Sequence, residues 1–385
     1  MAILTEKDKK YTSPEDICAH LGDNYADFNG AVIPPIFQSS LFVQHTETNG
    51  VKEHPYTYSR SENPTLEVAE KKIAALEGGD GALVFSSGMG AMSAAIMHFV
   101  RAGCHVVLVG TCYVGANTFI REYLYNKFNI SFTAVHGGDI KEIEDAIRPE
   151  TALIYLESPS TFVFHMQDLE AIARIAKERG IGTVIDNTYA TPLHQQPLKH
   201  GIDIVCHSIT KYLSGHSDVM GGVLVANEEI IRSVQANERV LIGAVMDPHQ
   251  AYLLIRGIRT LPLRLAQHGE NGKRVAAFLE SHPKIERVFY PGSESFAQKE
   301  LFEKYLSGTN GLMSFIPKGT EAQAQKLVNS LHYFQNGFSW GGFESLVTYV
   351  GSPERGHLIR MHVGLENVDS LIDDLKNALD SYDKE

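Results

Sequence analysis

Between Leu66 and Val225 short apolar runs alternate with stretches of helical periodicity, and few architectures accommodate that pattern. Leu66, Ala69, Ile73 and Leu76 recur at helical spacing, and Gly78-Gly79 ends that helix. Ala82–Phe85 reads as a buried strand. The glycine-rich turn Ser86–Ala91 follows, and a helix opens into Met92–Val100. Further strands are read at His105–Val109, Ser131–Val135, Thr151–Leu156, Gly182–Ile185, Ile202–Cys206 and Gly221–Val225. A helix carrying Leu169, Ile172, Ala173 and Ala176 lies among them. The fold class expected is α/β, with a mostly parallel sheet covered on both faces. Functional groups of such sheets gather at the carboxyl ends of the strands.

Three strand ends carry polar groups of complementary chemistry. Ser87-Gly88-Met89 sits where a strand passes through a turn into a helix, a geometry that offers backbone N–H groups to an anion. Asp186 ends a core strand, where a carboxylate is costly unless it meets a cation. Lys211 follows the Ile202–Cys206 run, with the hydroxyls of Ser208 and Thr210 just before it. Burial lowers the pKa of a lysine, and a neutral amine is a nucleophile. Alone, Lys211 reads as a lysine emerging from a strand end into solvent. The three ends together fit one ligand, pyridoxal 5'-phosphate (PLP). Its phosphate would take the cradle and hydroxyls, its ring nitrogen Asp186, and its aldehyde Lys211.

At 385 residues the chain suits two domains, and a formal charge of −12 disfavours nucleic acid or an anionic membrane as partner. No apolar run is long enough to span a bilayer, and the N-terminus lacks the apolar core of a secretory signal. Cys18, Cys104, Cys112 and Cys206 show no metal-binding spacing and suit a cytoplasmic protein. Residues 1–55, with the apolar and proline-containing stretch 30–42, are expected to form an extended arm. Residues 56–245 would be the large domain and 246–385 a smaller α+β domain. In the latter, Gln250–Leu265 is helix-like but carries Pro262, and Gly311–Ile316 and Leu358–Val363 read as strands. Asp369–Leu379 is an amphipathic helix with Asp373-Asp374 on its solvated face.

The segments Tyr58-Ser59-Arg60-x-x-Asn63-Pro64-Thr65, Ser87–Ala91, Asp186-Asn187-Thr188, Ser208-x-Thr210-Lys211-Tyr212 and Gly364-Leu365-Glu366 resemble the Cys/Met-metabolism group of PLP enzymes. The resemblance runs in order along nearly the whole chain. It implies the aspartate-aminotransferase-like architecture of fold type I and an amino-acid substrate. It also implies a homotetramer of tight dimers, with Tyr58 and Arg60 reaching the neighbour's cofactor phosphate and the arm packing on that partner. It further implies that Tyr113 stacks on the ring and that Arg360 binds the substrate carboxylate, aided by Ser339 and the Trp340 backbone. On their own, Tyr113 reads as a core aromatic and Arg360 as a strand arginine facing solvent.

Two departures bear on the reaction. Ser160-Thr161-Phe162 stands where many members have Asn-Pro after Glu157-Ser158-Pro159. Ser339-Trp340-Gly341-Gly342-Phe343-Glu344-Ser345-Leu346 is similar to bacterial cystathionine β-lyases. The expectation is therefore β-elimination of L-cystathionine or related cysteine conjugates to a thiol, pyruvate and ammonia, with Lys211 as base and Tyr113 assisting. γ-Elimination or γ-replacement within the group is the alternative. A serine hydrolase is the reading from another class, because Gly337-Phe338-Ser339-Trp340-Gly341 fits the G-x-S-x-G elbow. Only His357 and His362 follow it, with too little chain for the remaining fold. No metal is expected, since His207, His216 and Asp218 fit no common zinc spacing.

Overall fold

The computed structural model describes residues 2–44 and 54–382. Its larger sheet comprises β1 (Gly81–Phe85), β2 (His105–Val109), β3 (Ser131–Val135), β4 (Thr151–Glu157), β5 (Gly182–Asp186), β6 (Ile204–Ser208) and β7 (Gly222–Ala226). The spatial order is β1-β7-β6-β5-β4-β2-β3. Strands β2 to β6 pair in parallel. β7 runs antiparallel to both its neighbours, β1 and β6. The mostly parallel sheet is as expected. The reversal of β7 was not legible, because a strand buried on both faces reads as the same apolar run in either direction.

Successive strand residues face opposite ways. Leu83, Leu108, Tyr155, Val184, Cys206 and Leu224 share a core with Ala91, Ala95 and Ile96. Val84 and Val223, one step along, pack instead with Leu66, Ala69 and Ile73, and Ile154, Ile185 and Val205 with Ile172 and Ala176. The helices supplying these layers are α1 (Pro64–Glu77), α2 (Gly88–Phe99) and α3 (Leu169–Arg179). The Asn63 side chain caps α1 through the Thr65 N–H at 2.9 Å, and Gly78 ends it in the left-handed region at φ 77°. Helix α2 begins four residues earlier than its apolar period implied. Ser87 is its cap, accepting the Gly90 N–H at 3.0 Å, so the expected glycine-rich turn is itself the first helical turn.

Beyond the sheet, α4 (Pro248–Arg259) and α5 (Leu261–Ser281) are separated at Thr260, with Pro262 in the first turn of α5 where its missing N–H costs nothing. The second sheet contains β8 (Ile285–Phe289), β9 (Leu312–Pro317), β10 (Gln335–Asn336), β11 (Leu346–Tyr349) and β12 (Ile359–His362), in the order β10-β11-β12-β9-β8. It packs with α6 (Val368–Asp380) through Met313, Phe315, Met361, Leu371 and Leu375. One expectation about α6 is corrected. Asp374 is not on a solvated face: it is buried and accepts the backbone N–H groups of His332 and Tyr333 at 3.0 and 2.8 Å. The segment at His332 and Tyr333 packs against the middle of α6 and makes Asp374 an anchor, while Asp373 stays exposed as expected.

Stretch 30–43 forms no helix or strand beyond one bridge from Leu41 to Tyr58. It leaves Val32, Leu41 and Val43 at 73, 58 and 65% exposure. Part of the expected arm, residues 45–53, lies outside the described residues.

The two ends of β1 and β7 meet tightly at the start of α2. A Cβ on Gly222 would lie 2.3 Å from the Ser87 carbonyl oxygen and 2.8 Å from Gly88 Cα. Gly222→Ala is therefore expected to push the Ser87–Gly88 turn away and to destabilise the fold by about 1–3 kcal/mol, read from the urea unfolding midpoint.

Candidate active site

The carboxyl ends of β1, β5 and β6 converge, and they carry the residues singled out in the sequence. Ser87 caps α2, so the Gly88 and Met89 amides are among the unsatisfied N–H groups of a helix start. A Cβ on Gly88 would come within 3.0 Å of Ser208 Oγ, so the first turn of α2 and the end of β6 form one concave wall. The Thr210 hydroxyl accepts the Gly221 N–H at 3.1 Å, which ties it to the residue before β7 and leaves its proton available to donate to an anion beside Ser87 and Ser208.

Asp186 ends β5 and is buried. Its Oδ1 accepts the Thr188 N–H at 3.0 Å and the Thr188 hydroxyl, whose oxygen in turn accepts the Ser208 N–H at 2.8 Å. Asp186 Oδ2 accepts no hydrogen bond among the described residues. Burial pushes this carboxyl above its ordinary range, against the Thr188 hydrogen bonds, the His207 ring and the Lys211 cation. Glu157, at the end of β4, is the register neighbour of Asp186. Its Oε2 accepts the Tyr113 N–H at 2.5 Å, and burial with the nearby Asp186 charge raises it well above the usual range. Glu157 was not among the expected site residues. Its signal was the one that marked Asp186, an acid closing an apolar strand.

Lys211 lies in the turn after β6, partly buried. Its Nζ donates to Ser339 Oγ at 2.8 Å and sits 5.6 Å from the centre of the Trp340 ring. Burial, followed by the Arg360 charge, pushes the amine down to about 8 against the pull of Asp186. Ser339 partners this lysine, and Gly337–Gly341 lies in a loop between β10 and β11 with no helix after it, so the strand-to-helix turn of the hydrolase elbow is missing. Arg360 on β12 is buried, with its guanidinium 4.0 Å from the centre of the Phe338 ring. Its Nη2 is buried without a hydrogen-bond partner among the described residues. A donor in that state asks for an acceptor from outside the chain, and a carboxylate is the natural match. The site thus draws on both sheets, since Lys211 follows β6 of one, and Arg360 on β12 and the loop with Ser339 and Trp340 belong to the other.

Tyr113 reaches the site through Glu157 and stands beside Met89. A Cβ on Gly115 would meet Tyr113 Cε1 at 2.5 Å and Met89 Sδ at 2.8 Å. Tyr58 and Arg60 are not brought in by their own chain. Tyr58 is 46% exposed, and Arg60 donates to the Val240 carbonyl at 2.8 Å. His207 faces the opposite side of β6 and holds buried Glu77 at 2.8 Å.

The donor set fits PLP. The unsatisfied helix amides with Ser87 and Ser208 suit a phosphate, the open Asp186 Oδ2 suits a protonated ring nitrogen, and a lysine of lowered pKa suits an aldehyde. The model of the Cys/Met metabolism PLP-dependent enzymes matches residues 15–380. The chain belongs to that family. It is similar to L-methionine gamma-lyase of Porphyromonas gingivalis, 40% identical over 91% of this chain and 93% of that protein. It is also similar to cystathionine gamma-lyase of Sus scrofa, 39% identical over 91% of this chain and 89% of that one. The crystal structure of MetB from Corynebacterium glutamicum superposes with a TM-score of 0.91 at 32% identity, covering 96% of this chain and 98% of that one. The fold is accordingly PLP fold type I, and the cofactor is PLP. When bound, PLP supplies an aldehyde that joins a primary amine and a ring that takes up the electron pair left as a proton departs the substrate α-carbon.

The charges around Lys211 give a signed expectation. Capture of PLP by the cofactor-free chain should speed up as pH rises through about 8, where the amine becomes neutral. Arg360→Leu removes a cation that disfavours the protonated amine, so the midpoint should rise. Asp186→Asn removes an anion that favours it, so the midpoint should fall. Stopped-flow absorbance at the cofactor band measures both.

Proposed function

We propose that this chain is a carbon–sulfur lyase that releases the side-chain sulfur of an L-amino acid by γ-elimination. The observation that carries the lyase reading is the pairing of a desolvated amine, Lys211, with a buried guanidinium, Arg360, whose Nη2 is open. Arg360 takes the substrate carboxylate and fixes the α-carbon. Lys211 removes the α-proton as a neutral amine, with the Ser339 hydroxyl directing it. Asp186 pairs with the cofactor's ring nitrogen, and Tyr113 stands beside the site to protonate the departing sulfur. The choice of the γ bond is supported by the names of the relatives, which are gamma-lyases at 40 and 39% identity. These names favour the γ alternative over the β-elimination expected from the sequence.

β-Elimination remains a second reading, and Trp340 favours it. The indole lies 5.6 Å from the lysine nitrogen and narrows the space in which the amine can travel. Elimination at Cβ needs one proton removal, whereas elimination at Cγ needs a second from the next carbon. Purified protein incubated with L-methionine, L-cystathionine, L-cysteine and an O-acyl-homoserine separates the two. 2-Oxobutyrate marks γ-elimination, and pyruvate alone would establish the β reading. Lys211→Ala should lower turnover by at least about 10²-fold, and retained lyase activity would refute its role.

We also propose a homotetramer of tight dimers in which Tyr58 and Arg60 complete the partner's cradle. The support is that both lie on an exposed loop beside an apolar, uncovered arm. Light scattering that reports a monomer would overturn this.

A further inference from the structure

His362 lies behind the strap that carries Ser339 and Trp340. It is 1% exposed and sits on β12 two residues beyond Arg360, on the same face of the sheet. Its Nε2 accepts the Gly341 N–H at 3.1 Å and lies 3.2 Å from the Gly342 carbonyl oxygen. Its ring centre is 5.7 Å from that of Tyr212 and 5.1 Å from that of His268. The front of the strap is equally tight. Gly341 has φ 86°, and a Cβ there would come within 2.6 Å of the Tyr212 nitrogen and 2.8 Å of the Lys211 carbonyl carbon. The strap is held between the backbone of Lys211 and the imidazole of His362.

The tautomers follow from the partners. His268 Nδ1 lies 3.0 Å from the Val363 carbonyl oxygen and must donate to it, so its Nε2 is a bare acceptor. His362 Nε2 accepts, so its Nδ1 carries the proton. These two remaining nitrogens are buried without partners among the described residues, one a donor and the other an acceptor. Burial pushes His268 down to about 4 and His362 well below the imidazole range, and His268, Arg360 and Lys211 all oppose a charge on His362. Only the Gly342 carbonyl favours a charge, so the imidazole stays neutral and one ring nitrogen is an acceptor, which the Gly341 N–H meets at Nε2.

We propose that His362 is a positioning residue: through the Gly341 N–H it fixes the Ser339-Trp340 strap on Lys211 and so sets the direction and dryness of the amine. It acts through the strap alone, and it rests on Lys211 being the reactive amine, whichever carbon–sulfur bond is cleaved.

Trp340 is the one tryptophan of the 385 residues, so tryptophan emission reports on the strap alone. In the cofactor-loaded full chain, His362→Leu removes the acceptor. It should red-shift the emission and speed acrylamide quenching, while a thermal melt shows the variant folded. After cofactor removal, the same variant should raise the pH midpoint of PLP capture, because water reaching Lys211 restores its ordinary basicity. His362→Gln offers an amide oxygen to Gly341 and should restore both readouts. Should His362→Leu not fold, His362→Asn, whose shorter amide stops short of Gly341, is expected to give the same changes. Unchanged emission and an unchanged capture midpoint in a folded variant lacking the acceptor would overturn the proposal. Undiminished covalent capture of PLP by Lys211→Ala would instead refute Lys211 as the amine, with the emission readout still reporting on His362.

Discussion

A primary amine held largely out of water in the turn after β6 is the constraint on which the rest of the site depends. A charged ammonium there would lose its hydration, so the protein has either to supply an anion or to let the amine go neutral. It does some of each. Asp186 favours the charge from one side and Arg360 opposes it from the other, and burial tips the balance to about 8. That value leaves a fraction of the amine free to react near neutral pH while a proton can still be held. The seven-stranded sheet aligns the end of β6 with that of β5, and the second sheet delivers Arg360 and Ser339 opposite.

The carboxylates obey the same physics with the opposite sign. Asp186 and Glu157 are register neighbours, both raised by burial, and the Asp186 charge adds to the cost of ionising Glu157. They are kept apart in role by their partners. Glu157 holds the Tyr113 backbone, whereas Asp186 spends one oxygen on Thr188 and leaves the other open. A cationic ring nitrogen placed at that oxygen would compensate two buried acids together, which ties cofactor binding to the stability of this edge of the sheet.

Much of this was legible because it is local. An acid, a capped glycine turn and a lysine at the ends of apolar strands are written in consecutive residues, and the parallel-sheet geometry puts such ends on one edge. Other features depend on what packs against them. Thr210 also fastens the segment that leads into β7, because its hydroxyl accepts the Gly221 N–H. Asp374 looked like a solvated helix acid until a loop donated two N–H groups to it. Glu157 carried the same signal as Asp186 but went unread, because its use depends on Tyr113, 44 residues away.

By itself the sequence determined the alternation of strands and helices and the cofactor, and it offered Lys211 as the candidate amine, since periodicity and strand-end chemistry need no knowledge of distant neighbours. Only the tertiary structure decided that β7 runs backwards, that Ser339 serves Lys211 rather than a hydrolase, and that His362 braces the strap between them. Those outcomes join residues from two sheets, and no spacing along the chain encodes which side chain the folded backbone brings within 3 Å of another.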